Sequence, residues 1–423
     1  MADQDIPNPP ESDASTAVTS PSDIEEVFPL VTDLGQQLLD WSWEGTIGLE
    51  DKIDRVAGAY GHEVETLVGA ESVIIQMDSH EAILKGLPGI PPLAILPRLK
   101  SWLLDVERGE LEPSAARAEL RKVAATRGVY PPLLRIFGVM MLSFGFAIDI
   151  VGTWEACIVA FVTGIASGIF LLVAERSVQW TLAAPLLASF FVSLPIMIAW
   201  NQDWVDEAPG VLLISALFIF IPGDSITMQA VELIDGRWSA GVARLFYSIM
   251  LLLLLAIGGL VAAGVTGVAT AELAPGNPDG DFAWWAPYPG HIIFTIGVAL
   301  AFQMRWKDVP LATAVTLVVT GIAQGGTIVF AATAGTFLAA VGMTVIGRYL
   351  ARSPDRAPAY VWMITPFFTL TPGSHGLRGF ESLIGDQPIE GIQDFGSLFS
   401  ILITISLGMI AGVALTKRWR SGW

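Results

Sequence analysis

The chain has 423 residues, of which 53% are apolar and 15% charged, and its mean hydropathy is +0.58. Soluble domains rarely have this composition, so it argues against a soluble protein. The net charge of -18 does not indicate a nucleic-acid partner, because most of the acidic excess lies in the N-terminal region and the linkers. From residue 133 onward, apolar runs of about 20 residues, the length that crosses a bilayer core, alternate with short polar loops. These runs predict an all-α polytopic membrane protein.

The N-terminal part is predicted to form two regions. Residues 1–29 are acidic and rich in Pro and Ser, without the apolar core of a signal peptide, and predict a disordered tail. Residues 30–130 predict a small soluble cytoplasmic α+β domain. Its expected order is two helices (30–39 and 49–60), strands in "HEVETLV" and "ESVIIQM" with a turn at Gly69, and amphipathic helices in "LPRLKSWLLDVERG" and "EPSAARAELRKVAATRG".

Ten membrane spans are predicted, five in residues 131–270 and five in residues 284–416. They lie near 133–151, 154–174, 180–200, 209–234, 241–267, 286–304, 308–325, 327–349, 358–383 and 391–415. Cytoplasmic loops of membrane proteins are enriched in Lys and Arg. If the N-terminus is cytoplasmic, Arg378 is the only Lys or Arg of the loops and span ends that lies outside. The inside cations are Arg176, Arg237, Arg244, Arg305, Lys307, Arg348, Arg352, Arg356, Lys417, Arg418 and Arg420. The pattern predicts a plasma-membrane protein with both termini cytoplasmic and a basic C-terminus at 417–423.

The two groups of spans share sequence features. "FIFIPGDS" and "FFTLTPGSH" both end an apolar run in Pro-Gly, and Gly223 and Gly373 are 150 residues apart. Gly258 and Gly408 have the same separation, and "VTGIA" occurs at 162–166 and 319–323. Because each group has an odd number of spans, the second copy would be inverted across the membrane. Secondary transporters are often built from two such inverted repeats.

The Pro-Gly steps interrupt apolar helices, and polar residues follow them at once. Lipid cannot satisfy the freed backbone groups of a broken helix, so we expect both breaks to line one translocation path between the repeats. Asp224 or Ser225 would cap the second half-helix, whose free N–H groups would bind a substrate carboxylate. The alternative is that each Pro-Gly marks the membrane exit. The candidate substrate-binding residues are Pro222, Gly223, Asp224, Ser225, Thr227, Glu232, Pro372, Gly373, Ser374, His375 and Arg378.

Four carboxylates are candidates for proton coupling: Asp149, Glu155, Asp224 and Glu232. Partly buried carboxylates can titrate near neutral pH, although Asp149 and Glu155 are equally consistent with plain loop charges. Other charges have simpler predictions. Glu232 and Asp235 are expected to pair with Arg237 or Arg244, and His291 and His375 are expected to be solvated near the outer surface.

No sequence motif predicts an enzyme. A nucleotide-binding loop, GxSxG and HExxH are absent, and four histidines with one cysteine make no metal cluster. We therefore predict no cofactor and no metal, and uphill transport would need an ion gradient. Two other classes stay open: a membrane hydrolase using His62, Glu63, Glu65 and Ser72, and a sensor or scaffold whose soluble domain binds a partner.

Several segments together resemble the threonine/serine exporter family. "GTIGLEDKIDRVAGAYG" (45–61) is similar to the family segment "ETYRVEDTMxRIAxALG", and "LPRLKSWLLDVERGELEPSAARAELRKV" to its helix pair before the first span. "IPGDSITMQAVELIDGRWSAGVARL" is similar to its Pro-Gly segment followed by Gly-x-x-Arg, here Gly241 and Arg244. The resemblance covers about residues 32 to 415. One position departs from it, since Gly48 replaces the arginine of the RVED-like segment.

The resemblance implies export of small hydrophilic metabolites, threonine and serine foremost, driven by the membrane potential or the proton gradient. Some relatives resemble dicarboxylate exporters, so export of a succinate-like acid is the alternative. The replacement at Gly48 leaves the choice of substrate open. The sequence does not predict the oligomeric state.

Overall fold

The computed structural model describes residues 22–41, 45–86, 89, 91–126, 128–151, 153–273, 282–370 and 372–417. The chain is mostly helical. The predictions for the tail before residue 22 and for Arg418 and Arg420 lie outside these residues. For Asp224, Pro372 and Gly373 only the backbone is described.

The N-terminal unit contains four helices and one small sheet. Its helices are α1 (Ile24–Asp40), α2 (Gly45–Ala59), α3 (Leu96–Glu107) and α4 (Pro113–Ala124). Its strands are β1 (Glu65–Val68), β2 (Ser72–Met77) and β3 (His80–Lys85), which pair antiparallel in that order. One core made from α1–α4, β1 and β2 holds these elements together.

Two details of this unit differ from the predictions. Helix α1 begins at Ile24, so residues 24–29 are helical and do not belong to the tail. Asp23 caps it, because its side chain accepts a hydrogen bond from the Glu25 amide at 3.1 Å. The third strand was missed because its alternating pattern, "HEAILK", leaves only half-buried and exposed positions and therefore gives a weak apolar signal.

Helices occupy each of the ten predicted segments. The first group contains α5 (Pro132–Ile150), α6 (Trp154–Ala174), α7 (Val178–Asn201), the half-helices α8 (Pro209–Ala216) and α9 (Gly223–Ile234), and α10 (Trp238–Thr266). The second contains α11 (Pro287–Ala301), α12 (Val309–Val329), α13 (Ala332–Ala351), the half-helices α14 (Ala359–Thr369) and α15 (Pro372–Ile384), and α16 (Pro388–Leu415). Among the described residues, seven helices are long and apolar enough to cross a membrane, or eight if α8 and α9 count as one bent span. The chain is therefore a multi-pass membrane protein.

The first helices of the two groups pack against each other in opposite directions. A Cβ built on Gly138 would lie 3.0 Å from the Gly297 carbonyl oxygen, and one built on Gly145 would lie 2.6 Å from the Gly290 carbonyl oxygen. Residues later in α5 thus meet residues earlier in α11, so the two helices are antiparallel. Small residues allow such close backbone approach, as is common between membrane helices.

One glycine–leucine contact occurs in both halves, at positions 150 residues apart. A Cβ on Gly241 would lie 2.9 Å from Leu233 Cγ, and a Cβ on Gly391 would lie 2.8 Å from Leu383 Cγ. The turns just before these helices also match, since Gly236 (φ 84°) and Asp386 (φ 63°) both adopt the left-handed conformation. The end of each broken segment therefore folds back onto the next long helix in the same way.

The long helices α10 and α16 also approach their neighbours alike. A Cβ on Gly258 would lie 2.6 Å from the Leu186 carbonyl oxygen on α7, and a Cβ on Gly408 would lie 2.8 Å from the Phe337 carbonyl oxygen on α13. The predicted correspondence of Gly258 with Gly408 thus coincides with a shared packing role.

The "VTGIA" segments do not share a packing role. Gly164 lies against α5, where its added Cβ would be 3.0 Å from Met140 Cα, whereas a Cβ on Gly321 meets no atom within 4 Å. This part of the sequence match therefore has no counterpart in the packing.

The N-terminal unit contacts the ends of several membrane helices. Lys100 on α3 is fully buried and donates hydrogen bonds to the carbonyls of Ala351 (2.7 Å), Ser353 (2.8 Å) and Arg356 (3.0 Å). Burial lowers the pKa of Lys100 to about 8, so the ammonium form, with one proton for each carbonyl, still predominates at pH 7. Leu93 donates its amide to the Phe302 carbonyl just after α11. These contacts fix the unit to one end of the bundle.

The repeated glycine contacts predict equal effects of substitution in the two halves. Gly258→Ala and Gly408→Ala would each force a methyl group against backbone atoms of the facing helix, at a cost of about 1–3 kcal/mol. Both variants should lower the thermal unfolding temperature of the detergent-solubilised protein by similar amounts. Gly396→Ala on α16 is the control, because its added Cβ meets no atom within 4 Å. A loss of stability in only one half would contradict equivalent packing.

Candidate functional site

The first Pro-Gly step bends an apolar segment sharply. Helix α8 and the segment Phe218–Ile234, which contains one 3-10 turn and α9, meet at 62°. Pro222 occupies the N-cap position of α9, so the prediction that Asp224 or Ser225 caps this half-helix is wrong. Both residues lie instead in its first turn. Pro222 makes no side-chain capping hydrogen bond, because its ring carries no acceptor.

The second Pro-Gly step lies beside the first. Helix α15 begins at Pro372 and packs against both α8 and α9. Phe218 and Phe368 each precede their proline by four residues, and their rings touch edge-to-face with centroids 5.5 Å apart. These two residues are themselves 150 residues apart. This contact brings the two breaks next to each other.

Aromatic side chains fill the space beside the two breaks. The Phe218 ring lies 4.2 Å from that of Phe146 and 5.5 Å from that of Phe294, and the Phe368 ring lies 5.9 Å from that of Phe302. Helices α5 and α11 thus each contribute a ring beside the breaks. Sequence reasoning did not identify these phenylalanines, because isolated aromatics in apolar spans resemble ordinary packing residues.

The polar residues after the first break have different environments. Ser225 is exposed, whereas Thr227 is buried and donates to the Gly223 carbonyl at 3.1 Å. Glu232 is 1% exposed. Among the predicted residues of the second break, Ser374 is buried, and His375 and Arg378 are partly buried.

A group of four polar residues connects α9 with α10, and we call it the inner cluster: Gln229, Glu232, Arg244 and Ser248. Arg244 Nη1 donates to Glu232 Oε1 at 2.6 Å, which is one of the two pairings predicted for Glu232. Gln229 Nε2 donates to Ser248 Oγ at 2.8 Å. Four buried atoms of the cluster have no hydrogen-bond partner among the described residues: Gln229 Oε1, Glu232 Oε2, and Arg244 Nε and Nη2.

The N-terminal unit covers the inner cluster. The backbone N–H of Thr46, at the start of α2, donates to Glu232 Oε1 at 2.8 Å. Arg237, in the turn between α9 and α10, makes a bidentate pair with Glu50 on α2. This pair raises the pKa of Arg237. Glu232 therefore has partners from both the N-terminal unit and the membrane part.

A second charged group lies on the corresponding helices α15 and α16, and we call it the outer cluster: His375, Arg378, Glu381, Ser382 and Asp394. Asp394 is its centre, 3.6 Å from Arg378 Nε, 3.9 Å from His375 Nδ1 and 3.4 Å from Ser382 Oγ. Glu381 is 4% exposed, and its Oε2 has no hydrogen-bond partner among the described residues. The expectation that His375 is simply solvated is therefore wrong.

Asp394 and Glu381 were missed by sequence reasoning, although the repeat offered a signal. Asp394 stands 150 residues after Arg244, and Ser382 stands 150 residues after Glu232. The two clusters thus use corresponding positions with different chemistry. A search for the counterparts of Glu232 and Arg244 would have found Asp394 and Ser382, whereas Glu381 corresponds to Val231 and gives no such signal.

A third polar contact connects α5 with α11. Asp149 Oδ2 lies 2.7 Å from His291 Nε2, and His291 Nδ1 lies 3.1 Å from Thr320 Oγ1 on α12. His291 is 5% exposed, so the prediction of a solvated histidine is wrong here too. Glu155 is exposed in the first turn of α6. The two predicted carboxylates of this turn therefore have different surroundings.

The described residues hold no group of three or more His, Cys, Asp or Glu arranged to bind a metal. In the N-terminal unit, His62 Nε2 lies 2.8 Å from the Ser22 carbonyl and its Nδ1 lies 3.6 Å from Asp78. These partners are neither Glu63, Glu65 nor Ser72, so the hydrolase candidates are not linked through this histidine.

Comparison with known proteins identifies the family. A family model described as "Putative threonine/serine exporter" matches residues 30–266, which is more than half of the chain. The chain belongs to the threonine/serine exporter family. Members of this family are membrane transporters, so this membership implies a transporter rather than an enzyme.

Two kinds of curated relatives are similar to this member of the exporter family. The threonine/serine exporter of Corynebacterium glutamicum is 21% identical over 331 residues, which cover 74% of this chain and 65% of that protein. Pheromone-regulated membrane protein 10 of Candida glabrata is 25% identical over 202 residues, which cover 45% of this chain and 25% of that protein. The chain thus spans less than two thirds of the length of these relatives. No solved structure matches it.

The position of the first break can be tested by cysteine labelling. Cys157 is the only cysteine, so Cys157→Ser gives a background for single cysteines. With Ser225→Cys, a polar membrane-impermeant maleimide should react from either side, depending on the transport state, because an exposed residue just after the break would line the predicted path. Thr227→Cys, which is buried, should react much more slowly. Reaction of Ser225→Cys from the cytoplasm alone under every condition would place the break at the membrane exit.

Proposed function

We propose that this protein is a secondary active exporter of small hydrophilic amino acids, threonine and serine foremost, in the plasma membrane. It has ten spans arranged as two inverted repeats of five, and both termini are cytoplasmic. The observation that carries this proposal is the contact between Phe218 and Phe368, two residues 150 positions apart that each precede a helix break. Substrates of transporters with inverted repeats bind between the repeats at such broken helices.

The contacts of the N-terminal unit support the ten-span topology. It contacts the chain near Glu232, Phe302 and Ala351. In a ten-span protein with a cytoplasmic N-terminus, these are the ends of the fourth, sixth and eighth spans, and all three face the cytoplasm. One span more or fewer before these sites would place them on the other side of the membrane from the N-terminal unit, which could then not contact them. The soluble unit is thus a cytoplasmic domain of residues 30–130 preceded by the start of α1.

The arrangement of polar groups supports a path along the broken segments. The inner cluster lies at the cytoplasmic end of α9 and α10. The outer cluster lies beside the turn between α15 and α16, which faces the other side of the membrane. Phenylalanines beside the two breaks separate the two clusters, and all of those rings are buried. Rocking one repeat against the other would open each cluster in turn to its own side of the membrane.

Export against a gradient needs an energy source, and we propose the proton gradient or the membrane potential. The contact between Asp149 and His291 is one candidate for proton binding, since it joins the first spans of the two repeats. Intramembrane ionisable pairs of this kind often form proton relays. Asp224 and Glu232 are further candidates on the first broken segment.

Counterflow in proteoliposomes is the direct test of this function. The purified chain should exchange internal unlabelled threonine for external labelled threonine or serine, and a pH gradient should drive net accumulation. Protein-free liposomes and the chain with labelled succinate are the controls. Exchange of succinate without threonine would replace the amino-acid function by dicarboxylate export. Exchange of neither solute would reject both.

Asp149 offers a test of the coupling. Asp149→Asn should abolish stimulation of threonine counterflow by a pH gradient, because it removes the titratable carboxylate beside His291, while exchange at equal pH continues. Glu155→Gln is the matched control, because Glu155 is an exposed carboxylate of the same turn. Equal stimulation in the Asp149→Asn protein and the control would show that the proton binds elsewhere.

A further inference from the structure

The inner cluster presents free hydrogen-bonding groups of both charges, and we propose that it is the cytoplasmic binding site for the α-amino and α-carboxylate groups of a zwitterionic amino acid. Arg244 binds the carboxylate, Glu232 and Gln229 bind the ammonium, and the start of α2 closes the site. This inference rests on the proposed function, because it names the site at which the exporter loads its substrate.

Arg244 has the geometry for a carboxylate. Its Nη1 is used by Glu232, whereas Nε and Nη2 are buried and free of partners among the described residues. Nε and Nη2 form the side-on edge of the guanidinium, whose two parallel N–H bonds match the two oxygens of a carboxylate. The side chain is only 12% exposed, so such a pair would be shielded from water.

Glu232 and Gln229 have the complementary geometry for an ammonium. They stand three residues apart on α9, which places them on one helix face. Their free atoms, Glu232 Oε2 and Gln229 Oε1, are both acceptors, and the two side chains are 1% and 2% exposed. An ammonium has three donors and no acceptor. Two buried acceptors next to the free guanidinium edge therefore suit the two ends of one amino acid.

The charge of the cluster selects among ligands. Glu232 and Arg244 balance each other, and a zwitterion leaves that balance unchanged. A dicarboxylate would add two negative charges to a buried site with one cation, and burying uncompensated charge is costly. Leaving buried donors and acceptors unpaired is unfavourable, so a ligand that pairs all of them gains binding energy from the site itself.

Helix α2 forms the lid of this site. The Thr46 amide binds Glu232 Oε1 at 2.8 Å, and a Cβ on Gly45 (φ 73°) would lie 2.9 Å from the same oxygen. The pair between Glu50 and Arg237 holds the helix in place. Because the free atoms of the cluster are buried beneath these contacts, an amino acid enters from the cytoplasm when the start of α2 moves away.

The corresponding positions of the second repeat do not form the same site. Asp394 replaces Arg244, Ser382 replaces Glu232, and Gly379 replaces Gln229. The carboxylate fork and the two acceptors are therefore present at one end of the path only. This asymmetry fits a protein that loads its substrate from one side.

Binding of ligands that lack one charged group tests the assignment. We would titrate the full-length protein in detergent with L-threonine, L-threonine amide, 3-hydroxybutyrate and succinate by calorimetry. The wild type should bind threonine more tightly than the other three. Arg244→Lys keeps the charge but loses the fork, and should weaken threonine binding about tenfold or more while leaving the amide unaffected. Glu232→Gln should weaken binding of threonine and of the amide, but not of 3-hydroxybutyrate.

Matched controls lie in the N-terminal unit. Arg108→Lys and Glu110→Gln change one exposed ion pair between α3 and α4, outside the lid helix, and should bind all four ligands as the wild type does. Thermal unfolding would verify that each variant folds. If Arg244→Lys or Glu232→Gln does not fold, Gln229→Met removes one acceptor without changing the charge, and should weaken threonine but not 3-hydroxybutyrate.

The results separate this site from the proposed function. If the wild type performs threonine counterflow but Arg244→Lys binds threonine normally, the exporter function stands and the site is wrong. If the expected binding pattern is found without counterflow of any solute, the site stands and the exporter function is wrong. Equal weakening of all four ligands by Arg244→Lys would indicate a structural ion pair and overturn the proposal.

Discussion

A break in an apolar helix must be satisfied by the protein, because lipid offers no hydrogen-bonding partners. The two Pro-Gly steps of this chain meet that constraint together. Helices α9 and α15 lie against each other, and the phenylalanines that precede the two breaks touch. Each break is thereby turned toward the other half of the protein. Helix α9 packs on α10 in the same way as α15 packs on α16. This packing fixes the position of the polar residues that follow each break.

A charged group lies on each pair of helices that follows a break. On α9 and α10 Glu232 is neutralised by Arg244 and covered by Thr46, and on α15 and α16 Asp394 lies among Arg378, His375 and Ser382. Buried charges are tolerated when they are paired.

The N-terminal unit is connected to this machinery by specific polar contacts. Lys100 and Glu50 each bind a turn between membrane helices, and the Thr46 amide reaches the inner cluster itself. A soluble domain that only bound an external partner would not need a hydrogen bond to a buried glutamate of the membrane part. The contact instead links the position of α2 to the inner cluster.

Many features followed from local sequence. Runs of apolar residues about 20 long predicted where the membrane helices lie, since the bilayer sets that length. Glycines at constant separation indicated the duplication, and Gly258 and Gly408 do share a packing role. The short "VTGIA" match did not, because small residues recur in any closely packed helix. The opposite charges of Glu232 and Arg244, twelve residues apart, were enough to anticipate their pairing.

Contacts between distant residues could not be predicted in this way. His291 was expected to be solvated, and only the antiparallel packing of α5 on α11 brings Asp149 to it. Likewise, Asp394 gains its role from α15 folding back onto α16. The sequence by itself determined the membrane class and the positions of the helices, because hydropathy and spacing are local properties. The tertiary structure alone decided which polar groups meet, because pairing depends on which helix faces turn toward each other.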